Sequence, residues 1–185
     1  MISRRLILTG LLGLVAEHPG GAWAFAGSGE DAFADIPIER HERSMRQAIA
    51  AARLNPSAPF GAVIARLSDG EILAEGVNSS GRNPILHGEI AAMNNYVRRH
   101  GNREWQTTIL YTTAEPCPMC MSAIVWAGIG GVVFGTSIEG LKRAGFDQID
   151  IASAAVAGAS RFWHGQVRGG VLASETDKLF MERTR

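Results

Sequence analysis

Two short segments of this 185-residue sequence hold side chains that bind metals and move protons. One reads His-Gly-Glu at 87–89, and the other reads Glu-Pro-Cys-Pro-Met-Cys at 115–120. Cys117 and Cys120, the two cysteines of the chain, stand three residues apart at the predicted start of a helix, so their sulfur atoms share one face. The positive end of a helix favours the thiolate, which is the form that metals bind. The spacing therefore indicates a metal site.

Adding His87 gives the site one nitrogen and two sulfur ligands. Three protein ligands leave the fourth position of a tetrahedral zinc ion for water, which is typical of a catalytic rather than a structural site. Glu89 follows His87 by two residues, in the first turn of the same predicted helix. Its carboxylate would lie beside the metal without binding it, where it could accept a proton from the zinc-bound water and deliver it elsewhere. The sequence therefore predicts a catalytic Zn²⁺ site with Glu89 as proton shuttle.

Other uses of the two cysteines fit less of the sequence. A Cys-x-x-Cys pair also forms the redox couple of thioredoxin-like proteins, but that use leaves His87 and Glu89 unexplained. A structural zinc would need a fourth protein ligand, and none is obvious nearby. A zinc-binding module without catalysis is a third alternative, and it has no need of Glu89.

The composition places this chemistry in one folded domain. The chain is 46% hydrophobic and 19% charged, which suits a packed core and excludes disorder over most of the length. Two cysteines are too few for a disulfide scaffold. The 18 basic and 18 acidic residues cancel, which counts against a general nucleic-acid-binding protein because such proteins usually have a basic surface.

Residues 1–26 have the layout of an export signal. Arg4 and Arg5 precede an apolar stretch of about eleven residues, and two overlapping Ala-x-Ala sequences follow it. That stretch is shorter than the ~20 residues that span a bilayer, although an anchoring or core helix is the alternative. Ser-Arg-Arg-Leu-Ile-Leu at 3–8 also resembles a bacterial twin-arginine signal. We therefore expect a signal peptide at 1–26, a catalytic domain at 27–185 without a membrane span, and a periplasmic or secreted mature protein.

Strands and helices alternate along the rest of the chain. The predicted elements are helix 37–55, a hairpin of 60–67 with 71–77, helix 87–100, strand 107–113, helix 116–127, strand 131–135, helical pieces in 141–157, strand 167–173 and helix 176–183. This alternation predicts an α/β fold with layers of helices around a largely parallel sheet.

The same spacing predicts which side chains are buried. Trp126 is expected to pack inside the protein, whereas His41 and His100 are expected on helix surfaces in contact with water. The predicted inner face of helix 87–100 consists of Ile90, Met93, Tyr96 and Val97.

About half of the sequence resembles the cytidine/deoxycytidylate deaminase superfamily, and within it the guanine deaminase and tRNA-adenosine deaminase branch. The similar phrases are Pro-Phe-Gly-Ala-Val-Ile at 59–64, Glu-Gly-Val-Asn at 75–78, Pro-Ile-Leu-His-Gly-Glu at 84–89, Leu-Tyr-Thr-Thr-Ala-Glu-Pro-Cys-Pro-Met-Cys at 110–120 and Val-Val-Phe-Gly at 132–135. His-x-Glu followed by Pro-Cys-x-x-Cys is the signature of zinc nucleobase deaminases. The resemblance implies a three-layer αβα sandwich with a five-stranded mixed sheet, a Zn²⁺ cofactor and a homodimer.

The resemblance also implies contacts with the substrate. Asn78 would hydrogen-bond the base, Phe60 would pack against its ring, and Ala62 would belong to the same substrate-binding set. From the residues alone, Asn78 also fits a turn, because Asn-Ser-Ser-Gly is turn sequence. Phe60 fits the hydrophobic core equally well.

Two positions depart from the pattern of guanine deaminases. Those enzymes carry an acidic pair after Gly-Phe that includes a second proton-shuttling carboxylate, whereas this sequence has Asp147-Gln148. The second shuttle is then Asp147, Asp150 or no residue. Gly88 stands where alanine is usual, and we expect it to loosen the start of its helix slightly.

The expected function is hydrolytic deamination of a purine-type nucleobase or nucleoside, with zinc-activated water attacking the amino-bearing ring carbon. The alternatives are a tRNA adenosine deaminase, or a deaminase of another small amino-heterocycle such as cytosine or a pterin. Residues 1–26 hold two arginines and one glutamate, so the mature chain has 16 basic and 17 acidic residues, a net charge of −1. Because tRNA binding draws on neutralisation of phosphates by cationic side chains, this balance favours a small-molecule substrate.

Overall fold

The structure is a computed structural model that describes residue 33 and residues 35–183. The expected signal peptide at 1–26 lies outside the described residues. Within the described part, no helix combines the length and the apolar character needed to cross a membrane.

The centre of the fold is a five-stranded sheet with strand order β2-β1-β3-β4-β5. The strands are β1 (Gly61–Arg66), β2 (Ile72–Val77), β3 (Thr108–Ala114), β4 (Gly131–Thr136) and β5 (Gln166–Arg168). β1 pairs antiparallel with β2 and β3, whereas β3, β4 and β5 pair in parallel. The mixed sheet implied by the resemblance is confirmed, and the largely parallel sheet expected from alternation is wrong for one half. Strands joined by the tight turn at Asp69-Gly70 must run antiparallel, and β1 also runs against β3.

Helices cover both faces of the sheet. They are α1 (Ile38–Ala52), α2 (Gly88–His100), α3 (Pro118–Ala127), α4 (Ile138–Arg143), α5 (Ser153–Gly158) and α6 (Ala173–Met181). One core cluster lies between the sheet and α1, a second lies between the sheet and α2, α3 and α5, and a third, smaller cluster contains Ala114, Leu141 and Phe180. Because side chains alternate along a strand, Tyr111 of β3 points to α1 and Leu110 points to α2 and α3. The architecture is therefore a three-layer αβα sandwich.

Direct backbone contact between β2 and α2 fixes where α2 begins. A Cβ atom on Gly76 would lie 2.2 Å from Ala92 N and 2.3 Å from Gly88 O, so a side chain of any size is excluded at this position. The glycine in β2 lets the strand lie against the helix backbone. This contact holds the first turn of α2, which carries Glu89, against the sheet.

Two expectations about buried hydrophobic residues are wrong. Val97 is 42% exposed, and the buried face of α2 is formed by Gly88, Glu89, Ala92 and Tyr96. Because Gly88 and Gly76 bring the helix so close to the sheet, the contact stripe is rotated toward small residues. Trp126 is 78% exposed and contacts Phe162 with tilted rings, 5.0 Å between ring centroids, rather than packing inside.

The two histidines expected in water are also placed differently. His41 is fully buried beneath the sheet, with its Nδ1 3.0 Å from the hydroxyl oxygen of Tyr111. His100 is half-buried, and its Nε2 lies 3.1 Å from Leu73 O. Each of the two side chains hydrogen-bonds to a residue of the sheet, Tyr111 for His41 and Leu73 for His100, instead of to water.

Candidate active site

The residues proposed as zinc ligands lie at the starts of α2 and α3. Cys117 precedes Pro118, and a residue before proline is biased toward extended backbone, so Cys117 (φ −61°, ψ 164°) caps the helix that Pro118 begins. Cys120 follows in the first turn of α3. His87 caps α2 in the same extended conformation (φ −69°, ψ 167°). Two helix starts therefore meet at the edge of the sheet where β3 ends.

The distances between these side chains fit a zinc ion. His87 Nδ1 lies 3.7 Å from the Sγ atoms of both Cys117 and Cys120, and the three ligand atoms all lie within 4.8 Å of one another. In a tetrahedral site, Zn–S bonds of about 2.3 Å and Zn–N bonds of about 2.0 Å place nitrogen and sulfur about 3.5 Å apart. The three residues would hold Zn²⁺ with little rearrangement.

Hydrogen bonds among Cys117, Cys120 and His87 shift the pKa values of the two thiols in opposite directions. The hydrogen bond from Cys120, followed by the one from His87, lowers the pKa of the Cys117 thiol to about 4 despite partial burial. The same bond to Cys117, together with burial, raises the pKa of Cys120. The bond to Cys117 also raises the pKa of His87. Cys117 is thus poised as the thiolate.

Glu89 is buried beside these ligands. Its residue exposure is 4%, and its Oε1 accepts a hydrogen bond from Thr112 Oγ1 at 3.1 Å. Burial raises the pKa of Glu89, and a hydrogen bond from its own backbone opposes that rise in part. A carboxyl group with a raised pKa gains and loses a proton more readily near neutral pH, as a proton shuttle must.

A cavity of about 250 Å³ opens in front of these groups. Its lining residues include Phe60, Asn78, His87, Glu89, Cys117, Phe146 and Asp147. The ring of Phe60 meets the edge of Phe146 at 5.1 Å and packs on Phe180 at 4.9 Å. Phe60 therefore belongs both to the hydrophobic core and to the wall of the cavity.

Asn78 fits both of its expected roles, as a residue that borders the cavity and as a residue of a turn. The residue is 6% exposed and borders the cavity, while its side chain bonds to Ser80 in the turn after β2. Ala62 is different, because it is fully buried in the core cluster under α2 and α3 and does not line this cavity. The resemblance implied that Ala62 contacts the substrate, but the side chain of Ala62 does not reach this cavity.

The structure separates the two candidates for a second proton shuttle. Asp147 lines the cavity next to Gln148 and is exposed at its mouth. Asp150 does not line this cavity, and its carboxylate accepts a hydrogen bond from Lys142 Nζ at 2.7 Å. Of the two carboxylates, Asp147 alone borders the cavity.

Gly88 has a packing role in place of the loosening expected from sequence. A Cβ atom there would lie 2.8 Å from the backbone oxygen of Phe60, closer than real Cβ contacts allow. The glycine lets the chain before β1 approach the start of α2. This close approach brings Phe60 to the cavity.

Glu115 is a buried residue whose contacts sequence reasoning missed. Its carboxylate accepts hydrogen bonds from Ile138 N and from both N and Oγ of Ser153. The only signal in the sequence was its place directly before Pro116 and Cys117. Its bonding partners follow 23 and 38 residues later in the chain, beyond the reach of local patterns.

Fold and site together define a zinc-dependent hydrolytic deaminase. Residues 38–136 match the family described as the cytidine and deoxycytidylate deaminase zinc-binding region, and the chain belongs to that family. Its cofactor is Zn²⁺.

Proteins similar to this chain include guanine deaminases and tRNA-specific adenosine deaminases. The chain is 37% identical to the guanine deaminase of Bacillus subtilis over 113 residues. This alignment covers 58% of this chain and 71% of that protein. It is also 37% identical to a tRNA-specific adenosine deaminase of Buchnera aphidicola over 87 residues. This second alignment covers 46% of this chain and 52% of the Buchnera protein. The guanine deaminase structure from Nitrosomonas europaea has the same fold, with a TM-score of 0.69 and 24% identity over 76% of this chain and 82% of that one.

Proposed function

We propose that this protein deaminates a free purine base, with guanine as the first candidate. One observation carries the proposal: His87 and Cys117 of the candidate zinc ligands and the buried Glu89 open into a single cavity of about 250 Å³ that is walled by Phe60 and Asn78. A cavity of this size suits a planar base. The identity to the Bacillus subtilis guanine deaminase supports the same substrate class.

The residues divide the reaction between them. His87, Cys117 and Cys120 would hold Zn²⁺, which would lower the pKa of a bound water toward ~7. Glu89 takes a proton from the water and gives it to a ring nitrogen as the oxygen adds to the amino-bearing carbon. Glu89 then takes the remaining hydroxyl proton of the adduct and passes it to the amino group, so that the C–N bond breaks, a carbonyl forms and ammonia departs. Thr112 holds Oε1 of Glu89 in place during both transfers.

Asn78 and Phe60 are suited to hold the base. The amide of Asn78 offers a donor and an acceptor on one side chain, which matches a purine edge. Its present bonds to Ser80 are long, at 3.2 and 3.4 Å, so the base could replace them at small cost. Phe60 is held from behind by Phe146 and Phe180 and would pack on the ring. Asp147 at the mouth would act as the second proton carrier.

A panel of substrates tests the proposal. Zinc-loaded protein is assayed for ammonia release from guanine, adenine, cytosine, their nucleosides and a pterin, with Glu89→Gln as the matched inactive control. We expect guanine to be the fastest substrate. Fastest release from cytosine or a pterin would shift the assignment to another amino-heterocycle.

The tRNA alternative rests on the relatives that are tRNA-specific adenosine deaminases. The net charge of −1 over residues 27–185 gives little support to phosphate binding. A gel-shift assay with an anticodon stem-loop RNA separates the two functions. Binding at physiological salt together with inosine formation would favour the tRNA substrate over the free base.

We also propose that residues 1–26 direct export through the twin-arginine route, so that the enzyme works in the periplasm or outside the cell. Arg4 and Arg5 before the apolar stretch support this placement. Loading of zinc before export would protect both thiols from an oxidising compartment. Cell fractionation of the wild-type protein and of the variant with both arginines changed to lysine tests it, since export should be lost in the variant. Equal export of both proteins would contradict it.

A homodimer is proposed from the exposed apolar face beside α3 and α5. Trp126, Ile151 and Phe162 are 78%, 47% and 38% exposed and border one shallow groove. Exposed apolar patches of this kind mark interaction surfaces. Light scattering during gel filtration should give twice the monomer mass for the wild type and the monomer mass for Trp126→Glu. A monomeric wild type would refute the dimer.

A further inference from the structure

Glu115 connects the segment that carries the two cysteines to the helices that follow. It comes directly after β3, and Pro116 biases it toward extended backbone, so the chain continues straight past the end of the strand. Its backbone N donates to Thr136 O at 2.7 Å, which prolongs the pairing of β3 with β4. The base of the side chain is therefore fixed at the edge of the sheet, two residues before Cys117.

The carboxylate of Glu115 joins two separate helix starts. Oε2 accepts from Ile138 N, the first residue of α4, at 2.9 Å. Oε1 accepts from Ser153 N at 2.8 Å and from Ser153 Oγ at 2.9 Å, at the first residue of α5. Glu115 is 9% exposed and Ser153 is fully buried, so these bonds are shielded from water. Hydrogen bonds to a charged acceptor are about twice as strong as neutral ones.

The stretch between these two helix starts forms one wall of the cavity. Phe146, Asp147 and Gln148 lie within it and face the side occupied by His87 and Cys117. One carboxylate thus ties the cysteine segment to both ends of the stretch that carries this wall. A change in its bonding would move the wall relative to the metal without touching a metal ligand.

We propose that Glu115 is a positioning residue that sets the spacing between the zinc ligands and the cavity wall at 146–148, and thereby sets the affinity for the substrate. The proposal rests on the proposed function for the substrate used in the kinetic test. Glu115 itself borders the cavity, but its two oxygens already accept from three donors, so the carboxylate acts through the wall. Substitution of such a residue weakens binding of the substrate and of the transition state equally. KM therefore rises while kcat stays unchanged.

Glu115→Gln tests this role with no change in side-chain shape. The amide oxygen still accepts from Ser153, but the amide NH₂ then faces Ile138 N–H, donor against donor. We expect KM for the base to rise about tenfold, in line with loss of one charge-assisted bond, while kcat stays within about twofold. Zinc content should stay at the wild-type level.

Two controls accompany this variant. Glu42→Gln removes one negative charge from an exposed i,i+4 pair with Arg46 and should leave KM unchanged. Ser153→Ala removes the hydroxyl bond but keeps both backbone donors, and it should raise KM about twofold to threefold. Ser153→Ala also decides the matter if Glu115→Gln does not fold, since unchanged kinetics in that variant would overturn the proposal.

Hydrogen exchange provides a measurement that needs no substrate. In Glu115→Gln, amides in 138–153 should exchange faster, whereas those in 117–120 should keep their wild-type rates. This result in a protein that deaminates no base would leave the positioning role standing and refute the proposed function instead. Unchanged exchange in 138–153, loss of zinc, or a fall in kcat at constant KM would each overturn the positioning role.

Discussion

Replacement of Glu89 by glutamine removes the proton shuttle and keeps its surroundings. Glutamine has the same shape and retains an oxygen for the hydrogen bond from Thr112 Oγ1, so the first turn of α2 should stay in place. Glutamine takes up no proton at neutral pH. Both proton transfers of the proposed reaction therefore lose their carrier in a single substitution.

The size of the effect follows from the other carboxylates around the cavity. General acid–base catalysis contributes about 10²- to 10⁴-fold to a rate, or about 3 to 5 kcal/mol of activation free energy. The carboxylate of Glu115 already accepts from three donors, and Asp147 is exposed at the mouth. Neither takes over the buried position of Glu89, so we expect kcat to fall at least 10³-fold.

The folded state of this variant should be at least as stable as the wild type. Glu89 is 4% exposed, and a neutral amide costs less to bury than a carboxylate. Ammonia release, zinc analysis by mass spectrometry and thermal unfolding are measured on the same preparation. Turnover within tenfold of the wild type, with zinc bound, would show that another group carries the protons.

Three further substitutions probe the ligands, the packing and a buried histidine. Cys117→Ala should lose most of its zinc, and full metal content by mass spectrometry would remove Cys117 from the ligand set. Gly88→Ala should lower the free energy of unfolding by about 1–2 kcal/mol, because its Cβ would lie 2.8 Å from Phe60 O and overpacking outweighs the better helix propensity; a more stable variant in urea would contradict this. Burial, with Arg168 and Arg40 nearby, lowers the pKa of His41 to about 4, below its ordinary 6.5. The unfolded chain therefore binds a proton first as the pH falls, and about 2 to 3 kcal/mol of stability present above pH 6.5 should be lost by pH 4.5. His41→Gln should flatten this dependence in urea unfolding, and an unchanged pH profile would contradict it.

The candidate metal site was readable from sequence because its determinants are local. Pro118 after Cys117 forces the extended cap and starts the helix, and the i, i+3 spacing then turns Cys120 to the same side. The hairpin was equally readable, since Asp69-Gly70 supplies the turn between two apolar runs. Each of these features depends on only a few neighbouring residues.

The features that sequence missed depend on distant contacts. His41 is buried because Tyr111, 70 residues later, supplies a partner inside the sandwich. Helical spacing marks a stripe on α2 but not its rotation, which close approach to Gly76 sets, leaving Val97 exposed. No local pattern predicts that Glu115 joins the starts of α4 and α5.

The anchoring of His87 and Cys117 as helix caps has a consequence for metal exchange. Both donors stand on extended backbone at the residue before a helix begins, so they are ordered during folding and not at the moment of ion capture. A donor set organised in this way should release its ion to a chelator without unfolding and accept another ion of the same geometry. Cobalt(II), introduced by such an exchange, would turn the colourless centre into an optical reporter of ligand entry.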